Sequence, residues 1–432
     1  MAERLVWPSG WLATPVAEIL RRAGRCLLLV ALPVAMTTPR IEVSAIHFTL
    51  SDALGMLGGT CWLVSSLIRP RRRPWLIGGK WPLLVLAAGS LSLISSPDPR
   101  ATMLGVAELG ALWLLPAIAV PNLFDSSGAR QQLLGSIGLG SVLAAVANLW
   151  TATQVGFADG IPQVWGPADY YQGYFQVLGL SVAVPRLVGA ITERHFRAGV
   201  LWTAAAILNC GALLIAQTRG AWLAAAAAML TLVLLLRGAL APAILAMIGA
   251  AAVFAGVADW GQVVRERAQS IFSLQANLTG FDSSIIRIAL ALSAWRMFLA
   301  HPVVGVGLKA FPAVLPNYAP PGLPDAVEMG PNHILTPIEG PHSTYLRLLS
   351  ETGLLGAVAL VGWELQGVLC LYRQYRTTPA RGSGSRTNVL TLIASVVVLV
   401  IYNFFSEMNA TGALPLVCVL ALSCRAPEPE RA

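Results

Sequence analysis

Apolar runs of membrane-crossing length recur along this chain, separated by short clusters of arginine, proline and glycine, and nothing else in the sequence constrains its fold as much. Backbone amides in hydrocarbon find no water. A crossing segment must therefore satisfy its own hydrogen bonds, which a helix of about 20 mainly apolar residues does. Such runs lie near 24–45, 48–68, 81–96, 101–120, 131–154, 171–190, 198–216, 220–236, 239–257, 354–373, 387–405 and 408–424. They predict an all-α polytopic membrane protein with about 12 transmembrane helices, an even number that puts both termini on one side. With 56% hydrophobic and 12% charged residues, the chain is too apolar for a water-soluble core to absorb.

The basic residues set the orientation. With a cytoplasmic N-terminus, twenty of the twenty-nine Lys and Arg residues fall inside, among them Arg21, Arg22 and Arg25, then Arg69, Arg71, Arg72, Arg73 and Lys80, and later Arg373, Arg376, Arg381 and Arg386. Cytoplasmic loops carry such an excess. The formal charge of +8 is thereby explained by topology, and no nucleic-acid partner is expected. Arg21, Arg22 and Arg25 precede an apolar run with no clean cleavage site, so the run reads as a first span and not a removed leader. Six cysteines in or beside apolar runs form no C-x-x-C pair and read as packing residues.

The nine basic residues left outside are Arg40, Arg100, Arg219, Arg265, Arg267, Arg287, Arg296, Lys309 and Arg347, of which the last six from Arg265 onward share one loop. That loop, 258–352, is too long for a connector. The sequence therefore divides into 1–257 with transmembrane helices 1–9, the loop domain 258–352, and 353–432 with transmembrane helices 10–12 and a short cytoplasmic tail. Within the loop, Asp282-Ser283-Ser284 predicts the cap of a helix reaching Ala300 and ended by His301-Pro302. Pro341 predicts the first turn of a second helix through Glu351, closed by Gly353. The stretch from Pro312 to Pro341 between them reads as irregular.

Four residues invite a chemical reading. His342, expected in a first helical turn, would feel the partial positive charge of unpaired N–H groups, which disfavours imidazolium and leaves a ring able to accept a proton as general base. It is equally readable as a helix-end histidine that bonds backbone, and spacing does not separate the two. Arg287 follows the Ser283 cap by one turn, on a face with Leu290, Ala291, Ala294 and Phe298. A guanidinium against the dipole makes sense where an anion also sits, and it also suits an arginine snorkelling from the membrane boundary. Arg219, in the tight outer turn Gln217-Thr218-Arg219-Gly220-Ala221-Trp222, suggests a partner that lipid phosphate would satisfy. Arg265 stands where the loop leaves the membrane, while Arg267 and Arg347 read as solvated or headgroup-facing charges, with Glu351 in i,i+4 range of Arg347. No D-x-D pair, no metal-spaced His/carboxylate cluster, no P-loop and no G-x-S-x-G occurs. Arginine forks match phosphate oxygens, so these residues point to a lipid-linked phosphate or diphosphate held without a metal. Asp259, Asp282 and Glu328 remain rival bases.

In His342-Ser343, Leu346, Glu351, Gly353 and Gly356 the sequence resembles the O-antigen ligase family, within the wider group that includes O-antigen polymerases and bacterial protein O-oligosaccharyltransferases. Arg287, Trp295, His301-Pro302, Gly305-Val306-Gly307, Phe311 and the Thr218-Arg219-Gly220-Ala221-Trp222 turn extend the likeness. The resemblance implies a bacterial inner-membrane glycosyltransferase with its loop and active site facing the periplasm. It would move an O-antigen glycan from undecaprenyl diphosphate to lipid A-core in lipopolysaccharide biosynthesis, with inversion and with neither metal nor cofactor. Its essential histidine would be His342, and its diphosphate-binding arginines Arg219 and Arg287, with Arg265 a weaker match. The motifs do not separate a ligase from a polymerase or a protein-glycosylating enzyme. A lipid-linked glycan transporter is the reading from another class. It would rest on Glu108 and Glu364 inside spans, which form no pair in matching halves.

Overall fold

The computed structural model describes residues 10–38, 41–43, 46–69, 80–156, 172–236, 283–320, 340–379, 384–407 and 413–424. These are helical almost throughout: α1 (Gly10–Thr37), α2 (Leu50–Ile68), α3 (Lys80–Leu91), α4 (Pro99–Glu108), α5 (Leu115–Leu123), α6 (Ser127–Val155), α7 (Gln172–Thr192), α8 (Phe196–Ala216) and α9 (Arg219–Leu236). After the large loop begins come α10 (Ser283–Ala300), α11 (Phe311–Tyr318), α12 (Thr344–Thr377), α13 (Gly384–Phe405) and α14 (Leu414–Ser423). A widened π turn, Leu109–Leu114, joins α4 to α5 into one apolar segment of 25 residues.

Seven of the described segments are long and apolar enough to cross a membrane: Pro99–Leu123, α6, α7, α8, α9, α12 and α13. The chain is thus an all-α polytopic membrane protein. The expected runs near 81–96 and 408–424 give shorter apolar helices, and the run at 239–257 lies outside the described residues. One expectation fails outright. The first two spans were expected to meet near 45–48, but α1 ends at Thr37 and an antiparallel hairpin, β1 (Ile41–Val43) with β2 (Ile46–Phe48), follows. Pro39 cannot donate to a continuing helix, and the β-branched residues beyond it suit a strand. Thr49 then opens α2 with a capping box closed by Asp52.

Two helices lie at the centre. The apolar window of α7 is 72% buried and that of α13 67%, against 33% for α8 and 28% for α9, which are the more exposed pair. Tyr174 of α7 meets Tyr402 of α13 edge to face at 4.4 Å between centroids. Along α13, whose 22 residues span about 33 Å, the contacts divide into two sets. At its start Asn388 bonds Ser127, and the neighbouring turns hold Arg21 and Arg25 on Asp125 at 3.3 and 3.2 Å. At its end lie the segments around Arg219, Arg287 and His342. Arg21 and Arg25 on one side, and Arg219, Arg287 and His342 on the other, therefore lie near opposite ends of α13.

The helix that bears the histidine motif is broken. Gly353 (φ 67°, ψ −163°) interrupts α12, and the part before it folds back along the part after it, so that Tyr345 reaches Glu364. Residues 302–307 fill the elbow. The N–H of Leu354 donates to Pro302, that of Val306 to Ser350 and that of Gly307 to Glu351, at 2.9, 2.9 and 3.0 Å. Here two backbones touch with no room for side chains: a Cβ on Gly305 would strike Glu351 and Thr352, and one on Gly353 would strike Val303. The same segment and the residue after it are tied outward by Ser95 on the Gly305 carbonyl (2.6 Å) and Thr102 on that of Leu308 (2.9 Å).

Candidate active site

Three segments far apart in sequence converge on the end of α13. The first is the turn between α8 and α9. Gln217 adopts a left-handed conformation (φ 48°), the Trp222 indole donates to Leu213 at 3.1 Å, and Arg219 becomes the first residue of α9, half-buried. Gly220 beside it is packed so tightly on Tyr174 and Phe405 that no side chain would fit. The second is α10, whose buried stripe of Leu290, Ala294 and Met297 packs on α11 and leaves Arg287 exposed at its near end. Arg287 Nη1 donates to the Phe405 carbonyl at 3.3 Å.

The third segment carries His342. The expected first-turn position is not what forms: Ser343 is the N-cap, its hydroxyl accepting from the Leu346 N–H, and helix α12 starts at Thr344. Pro341 and His342 precede the cap. A hydroxyl that bonds the exposed N–H groups outcompetes proline as a start signal here. His342 thus lies just outside the turn in which the dipole is strongest, in a left-handed conformation (φ 55°), with its side chain exposed. Ser343 Oγ donates to the Asn403 carbonyl at 3.1 Å, and Thr344 N–H to that of Ser406 at 3.0 Å. The His342 N–H donates to Glu407 Oε1 at 2.5 Å.

Arg347 departs from the solvated role expected of it. Its side chain is only 13% exposed and lies between two buried carboxylates, Nε to Glu351 at 3.2 Å and Nη1 to Glu407 at 3.1 Å. The i,i+4 spacing to Glu351 was visible in the sequence, but Glu407 was not singled out there. One signal marks it: it is the only acidic residue between Glu364 and Glu428. Glu351 is fully buried and also accepts from the Phe311 N–H at 3.4 Å, which links the Gly-rich turn segment, Phe311 and Glu351 into one piece of structure. Arg265, Arg267, Asp259, Asp282 and Glu328 lie outside the described residues.

The two carboxylates that suggested transport have partners of another kind. Lys309 Nζ meets Glu108 Oε1 at 2.6 Å, and Glu364 accepts from Tyr345 and Asn403 at 2.6 Å each. These bonds account for both acids as structural neighbours of the elbow and of the end of α13.

This arrangement, two guanidinium-bearing segments and an exposed imidazole around one helix end, coincides with the stretch that a known family shares. Residues 204–361 match the family model described as O-Antigen ligase. The segment is O-antigen ligase-like. No curated protein matches the chain. Members of the O-antigen ligase family are glycosyltransferase-like enzymes of bacterial membranes acting on lipid-linked glycans. The resemblance read from the motifs is thereby borne out, and the matched stretch holds Arg219, Arg287 and His342 together with the elbow at Gly353. Glu407 lies beyond its end.

Proposed function

We propose that this protein is an O-antigen ligase: it transfers an assembled glycan from undecaprenyl diphosphate to the lipid A-core oligosaccharide at the periplasmic face of the inner membrane. The observation that carries the reading is the meeting of the Arg219 turn, Arg287 and the His342 turn at residues 402–407, inside or beside the one stretch that resembles this family.

In the proposed reaction His342 takes the proton of the acceptor hydroxyl as that oxygen bonds to the anomeric carbon of the donor sugar. The bond from that carbon to the diphosphate oxygen breaks, and its electron pair leaves with undecaprenyl diphosphate. Arg219 and Arg287 bind the phosphate oxygens and stabilise the charge as it develops, as planar guanidinium groups do well. A single displacement inverts the anomeric centre. The diphosphate linkage drives the transfer, so neither nucleotide nor metal ion takes part. About twelve spans with both termini cytoplasmic belong to the same reading.

Purified protein with undecaprenyl-diphosphate-linked O-antigen and lipid A-core is expected to yield a glycan ladder on lipid A-core by gel shift, and His342→Ala none. No ladder from folded wild type, together with glycan elongation or glycosylated protein in parallel reactions, would replace this reading with a polymerase or protein-acceptor enzyme.

A further inference from the structure

Glu407 has no part in the transfer just described, yet it is buried and its carboxylate bonds the histidine turn. Oε1 accepts from the His342 N–H at 2.5 Å, Oε2 meets Arg347 Nη1 at 3.1 Å, and its carbonyl accepts the Tyr402 hydroxyl at 2.6 Å. Gly340 is held against the same carboxylate, with no space for a Cβ between them. Arg347 in turn reaches Glu351, which the Phe311 N–H and the elbow hold in place. The carboxylate is therefore fixed from three sides and presents one oxygen to one backbone N–H.

That N–H belongs to a residue in a disfavoured conformation. His342 has φ 55°, where an L-residue crowds its own carbonyl, and such a residue persists only when its surroundings impose it. Pro341, Ser343 and Thr344 around it are buried while the histidine is exposed, so the left-handed turn is what directs the imidazole away from the packed end of α13.

We propose that Glu407 is a positioning residue for His342: its carboxylate, clamped by Arg347, holds the Gly340–Ser343 turn in the left-handed form that presents the imidazole to the acceptor. The proposal rests on the ligase reading for its consequence in catalysis, but its geometry stands apart from it. Displaced by a small rotation at φ, the imidazole loses its reach to the acceptor proton, while binding of the lipid-linked donor by the arginines is unaffected. The bond acts on turnover and not on donor affinity.

The test uses the full chain in nanodiscs, as wild type, Glu407→Ala, Glu407→Gln, His342→Ala and the double variant Glu407→Ala/His342→Ala. A misplaced general base slows the chemical step and leaves donor binding alone, so Glu407→Ala is expected to lose about tenfold or more in kcat with the donor KM within about twofold. Glu407→Gln keeps an acceptor for the N–H and retains more activity; it also carries the test if the alanine variant does not fold. The double variant is expected to be no slower than His342→Ala, because residues acting through one group are not additive. Independently of activity, diethyl pyrocarbonate labelling read by mass spectrometry is expected to change its rate at His342 in both Glu407 variants and to stay the same at His195 and His301. Unchanged labelling at His342, or a loss in the double variant that multiplies the two single losses, overturns the proposal. Altered labelling combined with full activity of His342→Ala would keep the positioning geometry and sink the ligase mechanism instead.

Discussion

Gly353→Ala strikes the elbow on which the histidine segment turns. At φ 67° and ψ −163° the backbone occupies a region open essentially to glycine alone, and an alanine forced there costs about 1–3 kcal/mol. The added methyl also meets the Val303 backbone, so residues 302–307 must retreat. Three hydrogen bonds cross this seam, Leu354 to Pro302, Val306 to Ser350 and Gly307 to Glu351. At about 0.5–1.5 kcal/mol net for each, losing two of them adds about 1–3 kcal/mol. The total of about 2–6 kcal/mol is large beside the 5–15 kcal/mol that commonly separates folded from unfolded chains, and even its lower limit shifts that ratio more than tenfold. The matched control is Gly199→Ala in α8, where a Cβ meets open space. The fraction of each variant surviving a heat challenge, read by fluorescence-detected size exclusion, is expected to fall for Gly353→Ala and to match wild type for Gly199→Ala. Wild-type survival together with wild-type glycan transfer by Gly353→Ala would refute the packing argument for the elbow.

Arg347→Ala leaves Glu351 and Glu407 without their shared cation in a buried place, so a loss of about 3–5 kcal/mol is expected, seen in the same heat challenge; survival equal to wild type would mean that the two acids are held otherwise. Arg287→Lys keeps the charge but not the planar fork, and donor turnover is expected to fall clearly in initial-rate assays, whereas equal rates would argue against bidentate phosphate binding. Transfer is expected to be complete in EDTA; strict dependence on added magnesium or manganese would exclude arginines as the sole diphosphate ligands. Glu108→Gln removes the Lys309 ion pair and should weaken folding more than turnover, and if it abolished function while His342→Ala did not, a transporter would be the better reading.

The helices were legible wherever an apolar run met a charge or a turn residue. The runs read at 48–68, 198–216, 220–236 and 387–405 became Leu50–Ile68, Phe196–Ala216, Arg219–Leu236 and Gly384–Phe405, because burial in lipid leaves a composition signal that needs no tertiary information. Hydropathy averaged over a window could not see the hairpin at 41–48, since its alternating Ile and Val residues look as apolar as a span. Gly353 was readable as a helix stop, but the fold-back it permits depends on residues 302–307, about fifty positions away. His342 was legible through the motif around it, while its position relative to the cap was not, because proline and serine both signal a start and only the formed hydrogen bond decides between them. Glu407 escaped because its bonds to His342 and Arg347 span 65 and 60 residues, and no local periodicity encodes such a pairing.

Helix α13 touches both ends of the bundle, Asn388 on Ser127 at one and residues 402–407 on three site segments at the other. It therefore works as a ruler whose length is not negotiable. One residue inserted between those contacts would advance everything beyond it by about 1.5 Å and rotate it by about 100°, separating Phe405 from Arg287, Ser406 from Thr344 and Glu407 from His342 in a single step. Substitutions along its lipid-facing side are a mild change by comparison. Among homologous chains, insertions and deletions should accordingly collect in the loops and leave the stretch from Asn388 to Glu407 constant in length even where its sequence drifts.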